Sequence, residues 1–235
     1  MEFRHAEAPT ALIEERVRAG QWRHDPVDRL ARCGTTVGKA YSQALRTGVP
    51  LAARSTWARF CMAMDVVRFD PGEVVFDDGE VHDVPAPLGL LDLPDLDRRR
   101  ELLEVLHSHL LLLAAARGWD TRPLAAARQA VLDAGLGFRL ESAPKSSPDR
   151  RHRSVLAMEI DGAGDAWLTV TVADRAGVEV LRSRPVPTDE SVRSFNAAKR
   201  ALRWRDARTV EVDPWPLGNS FSPGPPDQRV HLVRF

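Results

Sequence analysis

Asp161 and Asp213 close two apolar runs with the alternation of strands, 154–161 and 209–213, while Asp189 and Glu190 open the helical pattern between them. Carboxylates delivered from two strand ends and one helix start supply the hard oxygen ligands that a divalent cation such as magnesium takes. Asp161, Asp213 and Glu190 are therefore singled out as acids that could converge. The same residue types also start turns and cap helices in many proteins, which sets the ordinary reading beside the chemical one.

Residues 154–213 run strand, strand, strand, helix, strand, and this order resembles the front half of the ribonuclease H fold. The resemblance implies nuclease activity with two magnesium ions, Asp161, Asp213 and Glu190 as the candidate catalytic acids, and Asp161 and Asp213 as metal ligands. The family carries one acid inside its helix, whereas SVRSFNAAKR here has none.

Other constellations point elsewhere. Arg193, Lys199, Arg200 and Arg203 share a helical segment that runs on to Trp204, a pattern able to grip phosphate and stack a base. LARCGTTVGKAYSQAL resembles a helix-turn-helix, with Gly34 at the turn and Thr35, Lys39 and Gln43 offered to DNA. Acids outnumber arginines over residues 50–84, so a wing built there would repel phosphate. GTTVGKA is one residue short of a phosphate loop and lacks the hydroxyl after Lys39. Arg100 and His107 have the spacing seen in a family of helical-bundle ribonucleases that they resemble in this respect alone. The histidines are not spaced with Cys or Glu at zinc-ligand intervals, and neither a nucleophile elbow nor a dinucleotide fingerprint is present. Trp204, Trp215 and Phe221 are candidate anchors for a protein partner.

The elements that must position these groups fall into two halves. Apolar spacing predicts helices over 10–19, from Pro26 through Leu30, over 37–46 and over 53–65. A strand and hairpin follow, with Asp78-Gly79 as the tight turn. The proline-rich PAPLGLLDLPDLD reads as a linker. Asp97 caps a leucine-striped helix through Arg117, and a second helix ending at Gly135 completes a helical hairpin.

From Leu136 the period changes to two. A strand there, an exposed loop SAPKSSPDRRHR, and strands over 154–161, 166–174 and 178–186 predict an antiparallel meander. The helix, the strand 209–213 and a last strand in RVHLVRF complete the chain.

The expectation is an α+β protein divided as 1–94, helical with a β-hairpin; 95–135, a helical hairpin; and 136–235, an antiparallel sheet with one packed helix. With 33 basic and 33 acidic side chains the molecule has no net field toward nucleic acid or anionic lipid. Two cysteines, no apolar leader and no run long enough to cross a bilayer predict a cytoplasmic protein with reduced thiols and no membrane partner. The leading functional expectation is a non-catalytic binding or regulatory protein without a cofactor, acting through protein–protein contacts. The metal-dependent nuclease, with magnesium, and the helix-turn-helix regulator, with nucleic acid as partner, are the alternatives.

Overall fold

The computed structural model describes residues 2–3, 26–49, 51–52, 57–63, 68–71, 75–76, 79–161, 164–188, 190–213 and 231–234. The chain is α+β and divides into two compact units, Met1–Phe138 with Gly162–Gly164, and Arg139–Asp161 with Asp165–Phe235. The predicted helix over 10–19, the Asp78 turn position, Asp189, Trp215 and Phe221 lie outside the described residues.

In the first unit, helices α1 (Pro26–Thr47), α2 (Asp95–Arg117) and α3 (Arg122–Asp133) pack on one another. The turn expected at Gly34 does not form: α1 is one helix, so the helix-turn-helix reading of this segment is corrected. Glycine costs a helix interior about 1 kcal/mol. Here it is overridden by burial of Leu30, Cys33, Val37, Ala40 and Tyr41 along one stripe that continues through the glycine.

A four-stranded sheet, β1 (Glu2–Phe3), β2 (Trp57–Ala63), β4 (Gly79–Pro85) and β3 (Val75–Phe76) in that spatial order, completes the unit. β2 runs parallel to β1 and β4, and β3 runs antiparallel to β4. The helix predicted over 53–65 is therefore corrected to a strand. Consecutive Phe60, Cys61 and Met62 are each at most 2% exposed, which marks a central strand covered on both faces. A short apolar run of this kind satisfies helical and strand spacing equally.

The proline-rich segment before α2 carries a 3-10 turn, Leu90–Asp92. Arg98, whose side chain is 7% exposed, gathers it: the guanidinium donates to the carbonyls of Leu90 (2.9 Å), Leu91 (3.0 Å) and Leu93 (2.6 Å), and pairs with Asp95.

In the second unit, β5 (Phe138–Glu141), β7 (His152–Ile160), β8 (Ala166–Asp174) and β10 (Val186–Thr188) form a sheet in the order β10-β8-β7-β5. β6 (Lys145–Ser146) adds to β7, and β9 (Glu179–Arg182) adds to β8. The single strand predicted over 178–186 is thus two, β9 and β10, on the same side of β8. Ser183 bridges them, its amide donating to the Val170 carbonyl and its hydroxyl accepting from the Val170 amide. Prolines 185 and 187, without amide protons, interrupt a longer ladder.

Helix α4 (Val192–Ala201) is capped by Ser191, whose Oγ accepts from the Ser194 amide. It packs on a separate sheet of β11 (Arg203–Trp204), β12 (Thr209–Val212) and β13 (His231–Arg234).

Candidate functional site

β7 and β8 are nine-residue strands in unbroken antiparallel register from His152↔Asp174 to Ile160↔Ala166. The period of two gives the ribbon two distinct faces. One carries Leu156, Met158, Ile160, Leu168, Val170 and Val172, all buried. The opposite face pairs Arg153 with Ala173, Val155 with Thr171, Ala157 with Thr169, and Glu159 with Trp167. There only Ala157 is buried; Val155, Trp167, Thr169, Thr171 and Ala173 are half-exposed. At one end this outer face sinks into an open depression of about 320 Å³, floored by Val155, Thr171 and Ala173 and flanked by Pro144, Arg153, Asp174 and Arg175.

One turn, Asp174–Gly177, lines the depression, a second, between β6 and β7, is stapled to it, and both are internally braced. Between β6 and β7, the Arg150 amide donates to the Ser147 carbonyl, and the Ser147 hydroxyl donates to Asp149 Oδ1 at 2.6 Å. That hydroxyl and then the Arg151 amide hold the Asp149 carboxyl below the usual carboxylate range. Between β8 and β9, Asp174 Oδ1 accepts from the Val178 amide, and Gly177 takes φ 86°, a left-handed value that glycine adopts without strain. Arg175 Nε donates to the Arg150 carbonyl at 2.8 Å and staples the two turns together.

At the far end of the ribbon, Asp161 accepts from the Asp165 amide at 3.0 Å and from Trp167 Nε1 at 2.8 Å. The first predicted acid thus braces its own hairpin and orients the indole of the outer face. Asp213 follows β12 on the other sheet, and Glu190 is half-exposed ahead of α4. β7 is flanked by β8 and β5, with β12 in a different sheet, so the strand order departs from that of ribonuclease H. Chain connectivity accounts for this: α4 leads directly into β11, which pairs with β12, instead of returning the chain beside β7. Among the described residues no group of three or more His, Cys, Asp or Glu side chains is placed to hold a metal ion.

Arg193 and Arg200 are exposed and Lys199 half-exposed on α4. Arg203 turns away to Glu211 at 2.7 Å, and Glu211 also accepts from Arg205. Those two guanidiniums, Arg205 first, hold the Glu211 carboxyl low. Trp204, a candidate partner anchor, is half-buried and donates its Nε1 to the Lys145 carbonyl at 3.0 Å. Lys145 Nζ in turn donates to the carbonyls of Lys199 and Leu202 at the end of α4. Burial and then the Lys199 charge push its pKa down.

The first unit holds two polar knots. Tyr41 donates to the Leu124 carbonyl and meets His107 Nδ1, both at 2.8 Å. With its one proton committed to the carbonyl, the phenol oxygen accepts from a protonated Nδ1. Burial raises the Tyr41 pKa, and burial followed by the Arg128 charge lowers that of His107. Arg100, its proposed catalytic companion, is exposed and faces Asp97. The second knot is His82, with a fully covered side chain, whose Nε2 lies 3.0 Å from a Glu80 oxygen that also accepts from Arg117. Phe60 stacks on this imidazole. Thr35, Lys39 and Gln43 are half-exposed positions of the continuous α1.

Sequence reasoning marked SSPDRRHR as a basic exposed loop but left Arg175 out of every candidate set. The missing signal was the fold-back itself: in a hairpin, residues just before the first strand and just after the second arrive at the same end. No known protein family, curated protein or solved structure matches the chain.

Proposed function

We propose that this protein is a non-catalytic binding protein that acts by contact with another polypeptide, and that the outer face of β7–β8 is its working surface. The observation that supports this reading is the composition of that face: half-exposed Val155, Trp167, Thr169, Thr171 and Ala173 in one uninterrupted register, opening into a depression. Apolar and hydroxyl side chains held on a rigid sheet suit a partner, because little conformational freedom is lost on docking. Tryptophan, here Trp167 at the Asp161 end of the face, is among the commonest binding anchors. The acid at the end of β7 is engaged in orienting that indole, which is a positioning task.

Thr169→Arg places a charge in mid-face on a position whose side chain is not part of the core, so the fold persists while docking is blocked. The full chain and this variant are used as baits in native lysate, with and without nuclease; a captured partner is then purified and titrated against both. The reading requires nuclease-resistant capture and an affinity at least roughly tenfold weaker for the variant. Capture that disappears with nuclease, or equal affinity of the two baits, refutes it.

A further inference from the structure

The charges around this face are of two kinds. Arg139 is paired with Glu141 and Glu159, and Arg182 with Glu179. At the depression two arginines, Arg153 and Arg175, meet one carboxylate, Asp174, which accepts from the Val178 amide. Among the described residues no carboxylate lies within ion-pair distance, 4.0 Å, of the guanidinium of Arg150, Arg153 or Arg175, and Asp149 reaches Arg151 only at that limit.

Arg150 is also conformationally out of place. It has φ 57°, in the left-handed region that disfavours a side chain, and it is exposed. Leu136 is the other non-glycine residue in this region among those described, at φ 60°, but its side chain is 2% exposed and packing offsets the backbone strain. Nothing buried compensates Arg150. Glycine or asparagine would make the same turn with less strain, so the turn itself gives no reason for a guanidinium there.

From these placements we infer that the depression receives an acidic, extended polypeptide segment, its apolar side chains on the Val155–Ala173 floor and its carboxylates on Arg153 and Arg175 and on Arg150 of the adjoining turn. The inference rests on the protein-binding reading above and specifies the chemistry of the partner. Guanidinium is weakly hydrated and matches a carboxylate in two parallel hydrogen bonds, so unpaired arginines beside an apolar floor select acids next to aliphatic residues. The Arg175–Arg150 staple holds the two turns in place before the ligand arrives. The lining contains no aromatic ring on which a base would stack, which favours a peptide over single-stranded nucleic acid.

The test is fluorescence anisotropy of the full chain with a short fluorescein-labelled alternating Glu–Val peptide, its Gln–Val counterpart, and labelled polyuridylate. The acidic peptide is expected to bind at least roughly tenfold more tightly than the neutral one, with the preference shrinking as salt rises. Arg153→Gln with Arg175→Gln abolishes the preference. Arg150→Gly, which relieves the turn, lowers affinity about threefold without lowering the melting temperature. Equal binding of the two peptides, with Thr169→Arg abolishing both, overturns the acidic partner while leaving the face intact. Failure of both peptides overturns the inference too, and lysate capture, which uses neither peptide, then decides the broader reading by itself. Polyuridylate bound more tightly than the acidic peptide assigns the site to nucleic acid and overturns the inference.

Discussion

The two units use their ionisable groups in opposite ways. The first turns several inward: buried Arg98 among backbone carbonyls, buried Tyr41 against half-exposed His107, and buried His82 between Glu80 and Phe60. The second turns most of them outward, onto two braced turns and the rim of a sheet, and keeps its core apolar apart from a few hydroxyls and the arginine-paired Glu211. Buried polar groups are demanding of geometry and costly when half-satisfied, so the first unit is built to be unique in shape. Exposed guanidiniums contribute little to folding and are available for recognition. The difference teaches where to look for binding and where to look for fragility.

The sharpest way to break this comparison is Arg98→Ala. It strands the carbonyls of Leu90, Leu91 and Leu93, and should cost about 3–5 kcal/mol in urea unfolding. Amide exchange monitored by mass spectrometry should place the loss in Met1–Phe138; a cost below about 1 kcal/mol would dissolve the contrast. Next in size is Tyr41→Phe, which leaves the Leu124 carbonyl and His107 without their shared hydroxyl and should cost about 1–3 kcal/mol, read from the same unfolding curves.

The smallest expected effect is a pH dependence. The folded-state pKa of His107 lies below its ordinary value, so in the window just under pH 6.5 the unfolded chain binds more protons than the folded one. Stability contributed by the neutral imidazole is therefore present above that pH and declines as pH falls toward the depressed folded value. Melting temperature followed from neutral pH to about pH 5 should show the decline, and His107→Asn should flatten part of it. A decline of equal slope in both proteins would remove His107 as its source.

What could be read from the sequence divides along the same line. The β7–β8 hairpin was legible because alternation over 154–174 reports directly which side chain faces the core. So were the leucine stripe of α2 and the Gly118 stop, whereas the helix expected to open at Asp189 and Glu190 begins at Val192, after its Ser191 cap. Gly34 and Phe60-Cys61-Met62 misled because their conformation is decided by what packs on them, and local preference carries no trace of a distant neighbour. Asp161 was singled out as a metal ligand, while the partner it has in the fold, Trp167, was hidden by the hairpin that joins them. Arg150 and Arg175 were illegible as a pair for the same reason. The strain at Arg150 is visible only once its backbone angles are known.

Lys145 has a consequence for how the second unit is assembled. The six-stranded and three-stranded sheets share no strand, yet this residue on the first serves two carbonyls closing α4 with its amine and the Trp204 indole with its own carbonyl. Its partners lie 54 to 59 positions downstream, so during synthesis the rivet waits, open, until that further length of chain has emerged. Acylating this amine would remove the charge and bury an oversized amide in its place, and would therefore loosen the last-made third of the unit while the older hairpins stay closed.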